Sequence, residues 1–136
     1  ITKSMGAADF LLGVCESWMT PALFLSVTFI AGAVISFFTG SSWGTFAICI
    51  PIAVPMAYSF TGGQLGTLVY AAVGAVVSGG LFGDHCSPVS DTSVLSSLGA
   101  ACDHIDHVRT QLPYALLAAA VSIILWVVVA LVGGAA

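Results

Sequence analysis

The chain has 136 residues, of which 59% are hydrophobic and only 6% are charged, and its formal net charge at pH 7 is −4. Soluble domains carry about 25% charged residues, so this composition excludes a soluble fold and predicts an integral membrane protein. The two cationic side chains, Lys3 and Arg109, are too few for nucleic-acid binding.

The first predicted element is a moderately amphipathic segment over residues 1–21. Lys3, Asp9 and Glu16 occur there among apolar side chains. Trp18 is typical of an interface anchor, and the proline that follows is typical of a helix start. We expect an interfacial or connecting segment without a ligand role.

Two apolar stretches surrounding a polar tip form the next predicted element, over residues 22–60. The first stretch, 22–38, is uncharged and lies at the lower end of the ~17–25 residues needed to cross a bilayer. The second stretch, 46–60, contains Pro51 and Pro55. We predict a re-entrant hairpin in which the prolines and the tip glycines allow unwound backbone. Two ordinary spans joined by a tight surface turn are the alternative.

A broken helix is predicted over residues 64–101. Its first part, 64–82, is apolar and rich in Gly, Ala and Ser, which let neighbouring helices approach closely. Gly83 and Pro88 then interrupt the helix, because glycine loosens the chain and proline lacks a backbone donor. A short half-helix over 94–101 follows, with the serine or aspartate of Ser90-Asp91 as its N-cap.

The break, residues 83–93, is the most polar interruption in the apolar sequence. No charged residue or histidine occurs from Ser17 to Gly83, and then two carboxylates, an imidazole and several hydroxyls arrive together. Irregular backbone and ionisable side chains persist at bilayer depth only where protein buries them or where they line a wet cavity. We predict that the break is non-helical, lies at membrane depth and is close in space to residues 40–45.

The last predicted helix covers residues 110–134 and follows a polar cluster at residues 102–109. The helix is uncharged and long enough to span a membrane. We expect the cluster to be a surface loop. Exchange of His104 and His107 for glutamine should leave transport by the full-length protein largely intact.

A zinc site in a membrane metalloprotein is the alternative for this cluster. Histidine and cysteine are preferred zinc ligands, but their spacing here is not that of a standard structural site. We therefore regard a hydrated loop as the stronger interpretation. The candidate ligands would be Cys102, His104 and His107, with Asp103 or Asp106.

The break resembles a motif of NhaC-type sodium/proton antiporters, Gly-Asp-x-x-Ser-Pro-x-Ser-Asp-Thr, which residues 83–92 match. The tip sequence Gly-Ser-Ser-Trp-Gly-Thr at residues 40–45 is similar to a second motif of that family. Residues 106–109 also fit the family, and the resemblance extends over most of residues 20–132. The first motif is the specific one, whereas the tip sequence alone is weak.

The resemblance implies an all-α polytopic membrane protein of the ion transporter superfamily. A re-entrant hairpin, a broken transmembrane helix and a terminal transmembrane helix would form one transporter repeat. Since the chain has no initiator Met, we expect it to be the C-terminal portion of a longer transporter, with the N-terminal half as its partner. The lipid bilayer would surround it in the cytoplasmic membrane of a prokaryote, and a homodimer is compatible with this arrangement.

The residue chemistry independently favours a cation site. Sodium is a hard cation that binds oxygen ligands. A carboxylate in a low dielectric favours its proton, while a nearby cation favours the ionised form. One aspartate can therefore hold a proton or sodium, and sodium binding that expels the proton is the simplest antiport mechanism. The candidate ion- and proton-binding residues are Asp84, Asp91, Ser87, Ser90, Thr92, Ser41, Ser42 and Thr45.

The predicted function is therefore sodium/proton exchange, with no enzyme activity and no cofactor beyond the transported ions. Cation-coupled exchange of a small organic carboxylate on the same scaffold is the alternative. We expect Asp91→Asn to abolish exchange and Ser87→Ala only to weaken sodium affinity. The alternative hypothesis is that both carboxylates have only structural roles: Asp91 caps the half-helix, and Asp84 accepts hydrogen bonds from backbone donors near the proline.

Overall fold

The computed structural model describes residue 13 and residues 19–133, and these residues form helices without strands. This confirms the predicted all-α class. Most of the interfacial segment predicted for residues 1–21 lies outside the described residues. The helices are α1 (Pro21–Thr39), α2 (Ser42–Phe60), α3 (Thr67–Cys86), α4 (Asp91–Gly99) and α5 (His104–Gly133).

Helices α1 and α2 form an antiparallel hairpin. Gly40 and Ser41 alone separate them, and Gly40 has φ 65°, in the left-handed region that favours glycine. Ser41 is the N-cap of α2, because its Oγ accepts a hydrogen bond from the N–H of Gly44 at 3.4 Å. At the other end of the hairpin the rings of Phe24 and Phe60 pack with their centroids 5.4 Å apart.

The second helix of the hairpin continues through both of its prolines. Pro51 and Pro55 lie inside α2, so the expected unwound backbone is confined to the tip. Each proline removes one helical donor, but the buried side chains of Ala53, Met56 and Ala57 lie between and beyond them and anchor this part of α2 in the core. Packing therefore keeps the segment helical.

Within the described residues, α2, α3 and α5 are long and apolar enough to cross a membrane by length and composition. The apolar part of α1, Leu23–Thr39, is shorter. These lengths agree with an integral membrane protein. The re-entrant form of the hairpin stays a prediction.

The break between α3 and α4 is shorter than predicted. Only residues 87–90 are non-helical, so the prediction of a non-helical segment over 83–93 is wrong at both ends. Gly83 stays helical because it lies against α1, where its lack of a side chain allows close approach. Ser90 starts α4 one residue later, since its Oγ accepts a hydrogen bond from the N–H of Thr92.

The last helix begins earlier than predicted. α5 starts at His104, so most of the polar cluster at residues 102–109 forms its first turns and is not a surface loop. The cause is a local cap: Asp103 Oδ1 accepts hydrogen bonds from the N–H groups of Ile105 at 2.9 Å and Asp106 at 3.1 Å.

Helices α1 and α3 pack closely and in parallel. A Cβ on Gly79 would meet the carbonyl oxygen of Phe29, and a Cβ on Gly83 would meet that of Ala33. Because of this packing, the ends of α1 and α3 meet at the end of the bundle where α2 and α5 begin. The buried core includes Phe24, Leu25, Phe29, Met56, Leu68 and Val76.

Candidate functional site

Asp84 is a buried carboxylate in the last turn of α3, and its residue is only 5% exposed. Ser90 Oγ donates to Oδ1 at 2.6 Å, and Ser42 Oγ donates to Oδ2 at 3.2 Å. The first distance is typical of a charge-assisted O–H···O⁻ bond, whereas the second exceeds the usual range. The Oδ2 atom therefore retains capacity for a further ligand.

The break and the distant start of α2 bring these groups together. Ser42 is the first residue of α2, Asp84 lies near the end of α3, and Ser90 is the N-cap of α4. A Cβ on Gly40 would lie 2.8 Å from the carbonyl oxygen of Val89, so the hairpin tip directly covers the break. The predicted proximity of the tip and the break is confirmed.

A row of hydroxyls connects Asp84 to an exposed residue. Ser90 Oγ lies 2.7 Å from Thr92 Oγ1, and Thr92 is exposed. When the single hydroxyl proton of Ser90 points to Asp84, Thr92 donates to Ser90. Proton transfer to the carboxylate would reverse both bonds without moving the heavy atoms.

Ser87 anchors the break to α1. Its Oγ donates to the carbonyl oxygen of Phe37 at 2.7 Å and accepts from the N–H of Val89 at 3.2 Å. The residue is fully buried. Because Ser87 donates its hydroxyl proton to a backbone carbonyl of α1, its role in this structure is to hold the break against α1.

The other predicted residues at the tip form hydrogen bonds within α2. Ser41 caps α2, and Thr45 Oγ1 donates to the Ser41 carbonyl at 3.0 Å within the same helical turn. Asp91 is exposed as the first residue of α4. The N-cap, left open between two residues by the sequence, is Ser90.

Ser36 is a residue near the site that the sequence analysis missed. The residue is completely buried, with a relative exposure of 0%. Within the described residues its Oγ has no hydrogen-bond partner. Its Cβ would lie 2.8 Å from a Cβ on Gly83, the residue before Asp84. A lone serine in an apolar helix gives no sequence signal, because small residues there usually serve packing.

The residues considered for zinc do not assemble. Among the residues that the structure describes, no group of three or more His, Cys, Asp or Glu side chains could hold a metal ion. Cys102 Sγ lies 3.7 Å from the carbonyl oxygen of Ser97. His104 instead contacts the break, where its Nε2 is 2.7 Å from the carbonyl oxygen of Pro88.

Comparison with known proteins agrees with the resemblance found in the break and the tip. A family model described as the Na+/H+ antiporter family matches residues 1–131. The chain belongs to this family. No solved structure matches the chain.

Three of the relatives that carry antiporter names illustrate the range of the family. The chain is 36% identical over 129 residues to the malate-2H(+)/Na(+)-lactate antiporter of Bacillus subtilis, and this match covers 95% of the chain and 26% of that protein. It is 31% identical over 126 residues to the arginine/ornithine antiporter ArcD of Halobacterium salinarum, with 93% and 25% covered. It is 32% identical over 124 residues to the Na(+)/H(+) antiporter NhaC of Alkalihalophilus pseudofirmus, with 91% and 26% covered.

The chain spans only 20% to 26% of the length of the curated relatives that it matches. Family membership supports antiport by an integral membrane protein. The names of these relatives describe different exchanged solutes, so membership alone does not determine a substrate.

Proposed function

We propose that the transporter containing this chain exchanges sodium ions for protons across the cytoplasmic membrane of a prokaryote. Asp84 is the group that binds one or the other. The observation that carries the proposal is a buried carboxylate whose two hydrogen-bond donors, Ser42 and Ser90, are both neutral. Neutral hydroxyls do not compensate the charge of a buried carboxylate, so a proton or a bound cation stabilises it.

In the described part of the chain, few lysine or arginine side chains are present that could form an ion pair with Asp84. Arg109 is the only lysine or arginine there, and it is exposed on α5. The charge of Asp84 is therefore available to a mobile ion. Proton and sodium compete for the same oxygens, so binding of one releases the other.

Sodium would bind at the weakly bonded Oδ2 edge of Asp84. Ser42 and Ser90, whose hydroxyls contact Asp84, and the buried Ser36 hydroxyl are the neutral candidate ligands. Oxygen ligands suit a hard cation. Water and segments of the transporter outside this chain complete the coordination. The proton leaves or arrives through the Ser90–Thr92 row.

Exchange of a small organic carboxylate is the second candidate, because one relative is named a malate-2H(+)/Na(+)-lactate antiporter. A carboxylate substrate would use the N-terminus of α4 as its anion site. Asp91 already places a negative charge in the first turn of α4. This charge repels an anion and attracts a cation, so sodium/proton exchange is the better supported of the two.

The test is Asp84→Asn in the full-length transporter, reconstituted in vesicles with a sodium gradient. Asparagine keeps the shape and an acceptor oxygen but cannot exchange a proton. We expect loss of sodium-driven proton flux, measured with an internal pH-sensitive dye.

The matched control is Asp103→Asn, measured at the same amount of inserted protein. Asp103 is exposed and caps α5, and asparagine caps a helix as well as aspartate does. We expect this variant to exchange at the wild-type rate. Normal sodium-driven flux in a well-inserted Asp84→Asn transporter would refute the role of Asp84.

A further inference from the structure

His104 connects the break to two helices. Its ring is half-buried at the first residue of α5. Nε2 lies 2.7 Å from the carbonyl oxygen of Pro88 in the break, and Nδ1 lies 3.2 Å from Oγ of Ser97 on α4. One imidazole therefore contacts the break and α4 from the start of α5.

The partners of the ring determine the place of its proton. A carbonyl oxygen only accepts, so Nε2 carries a proton in the contact with Pro88. Ser97 has one hydroxyl proton, and its Oγ is also 2.8 Å from the carbonyl oxygen of Val94. Nδ1 can accept from Ser97 in the neutral ring or donate to it in the charged ring. The bond to Pro88 persists in both forms.

The Pro88 carbonyl lies between two serines that organise the candidate site. Ser87 holds the break against α1 through the Phe37 carbonyl, and Ser90 donates to Asp84. Residues in the break have left the helical hydrogen-bond pattern, and proline has no N–H to restore it. Tertiary hydrogen bonds therefore fix the conformation of this short segment, from α1 on one side and from His104 on the other.

We propose that His104 is a positioning residue of the cation site. By holding the Pro88 carbonyl, it keeps the hydroxyl of Ser90 directed at Asp84. The identity of the ion rests on the proposed function, whereas the hydrogen bond to the break does not. Only a side chain that still donates to the Pro88 carbonyl should therefore replace His104.

His107 provides a matched control on the same helix. It is also half-buried, but among the described residues only its backbone forms hydrogen bonds. Its N–H donates to the Asp103 carbonyl at 2.9 Å, and its carbonyl accepts from Thr110 at 3.0 Å. Removing its ring therefore leaves the break untouched.

Three substitutions at the same position separate positioning from simple space filling. In His104→Gln the amide nitrogen reaches the place of Nε2 and can still donate to Pro88, whereas in His104→Asn it reaches only the place of Nδ1. His104→Ala removes both contacts. We expect the alanine and asparagine variants to raise the sodium concentration for half-maximal proton flux about fivefold, as for one lost hydrogen bond. His104→Gln and His107→Ala should stay within about twofold of the wild type.

A second measurement is independent of transport. Amide hydrogen exchange in the full-length transporter reports on Val89 and Ser90, whose N–H groups donate to Ser87 at 3.2 Å and 3.4 Å. We expect His104→Ala to accelerate this exchange and His107→Ala to leave it unchanged. This measurement also remains usable if one of the variants exchanges ions too slowly to titrate.

The outcomes distinguish the two proposals. Unchanged amide exchange in His104→Ala, or an equal effect of His107→Ala, would overturn the role of His104. So would a His104→Gln transporter no better than His104→Asn. A wild-type transporter without sodium-dependent proton flux would refute the proposed function, while faster exchange of the break in His104→Ala would still support the positioning role.

Discussion

Two carboxylates of one motif have opposite surroundings. Asp84 is buried in the last turn of α3 and accepts hydrogen bonds from two hydroxyls. Asp91 is exposed in the first turn of α4, where the positive end of the helix dipole favours a negative charge. Because of this difference in burial, we propose Asp84 as the exchanging group and only a supporting electrostatic role for Asp91.

This division changes the expected effect of Asp91→Asn. Because the N-cap is Ser90, the substitution removes a charge without removing the cap. An exposed charge is strongly screened, so we expect sodium-driven exchange to persist with a few-fold weaker apparent sodium affinity. The measurement is the sodium titration of proton flux, with Asp103→Asn as control. Complete loss of exchange in inserted Asp91→Asn protein would return the central role to Asp91.

The sequence predicts the local contacts of the candidate site better than the contacts between distant segments. The contact between Asp84 and Ser90 lies within one motif, so the break itself predicts it. The contact of Asp84 with Ser42 spans 42 positions and depends on how α2 packs against α3. Ser36 carries no local signal, because its relation to the site depends on the close approach of α1 and α3.

At the scale of elements, glycines set the distance between α1 and α3. The sequence indicated that small residues in α3 serve close packing, but it could not identify the partner helix. Gly83 lies against the backbone of α1, and Asp84 follows it directly. The separation of these two helices therefore controls the position of the carboxylate.

Gly83→Ala tests this packing. A methyl group at this position would meet the Ala33 carbonyl oxygen, the Phe37 nitrogen and the Ser36 Cβ. Rigid backbone cannot yield as a flexible side chain would, so we expect destabilisation by about 1–3 kcal/mol, as for overpacked cores. A thermal unfolding assay of the purified full-length transporter measures it.

Gly99→Ala is the matched control for this substitution. A Cβ at Gly99, the last residue of α4, would have nothing within 4 Å, so its stability should stay close to the wild type. If Gly83→Ala unfolded at the same temperature as the control, the tight contact between α1 and α3 would be refuted.

The boundaries of the elements show where local pattern reading fails. Gly83 suggested flexibility, yet packing makes it helical. The polar residues before α5 suggested a loop, yet Asp103 caps a helix that begins with them. In both cases a single contact overrides the average preference of the residue type.

At the scale of the molecule, the candidate site lies at one end of the described bundle. The C-terminal ends of α1 and α3 and the N-terminal ends of α2 and α5 meet there. The opposite end carries the turn between α2 and α3, at Thr61, Gly62 and Gly63. This polarity makes the depth of the hairpin tip testable, because the two ends should meet different environments.

The re-entrant hairpin predicts different reactivity of cysteines at these two ends. In a cysteine-free background, Gln64→Cys marks the exposed segment after the α2–α3 turn, and Gly44→Cys marks the exposed start of α2 beside the tip. Because a re-entrant tip lies at membrane depth with Asp84, a membrane-impermeant maleimide should label Gly44→Cys slowly, and sodium should slow it further. Gln64→Cys should react rapidly and independently of sodium. Rapid, sodium-independent labelling of Gly44→Cys from the membrane face opposite to Gln64→Cys would instead establish two ordinary spans.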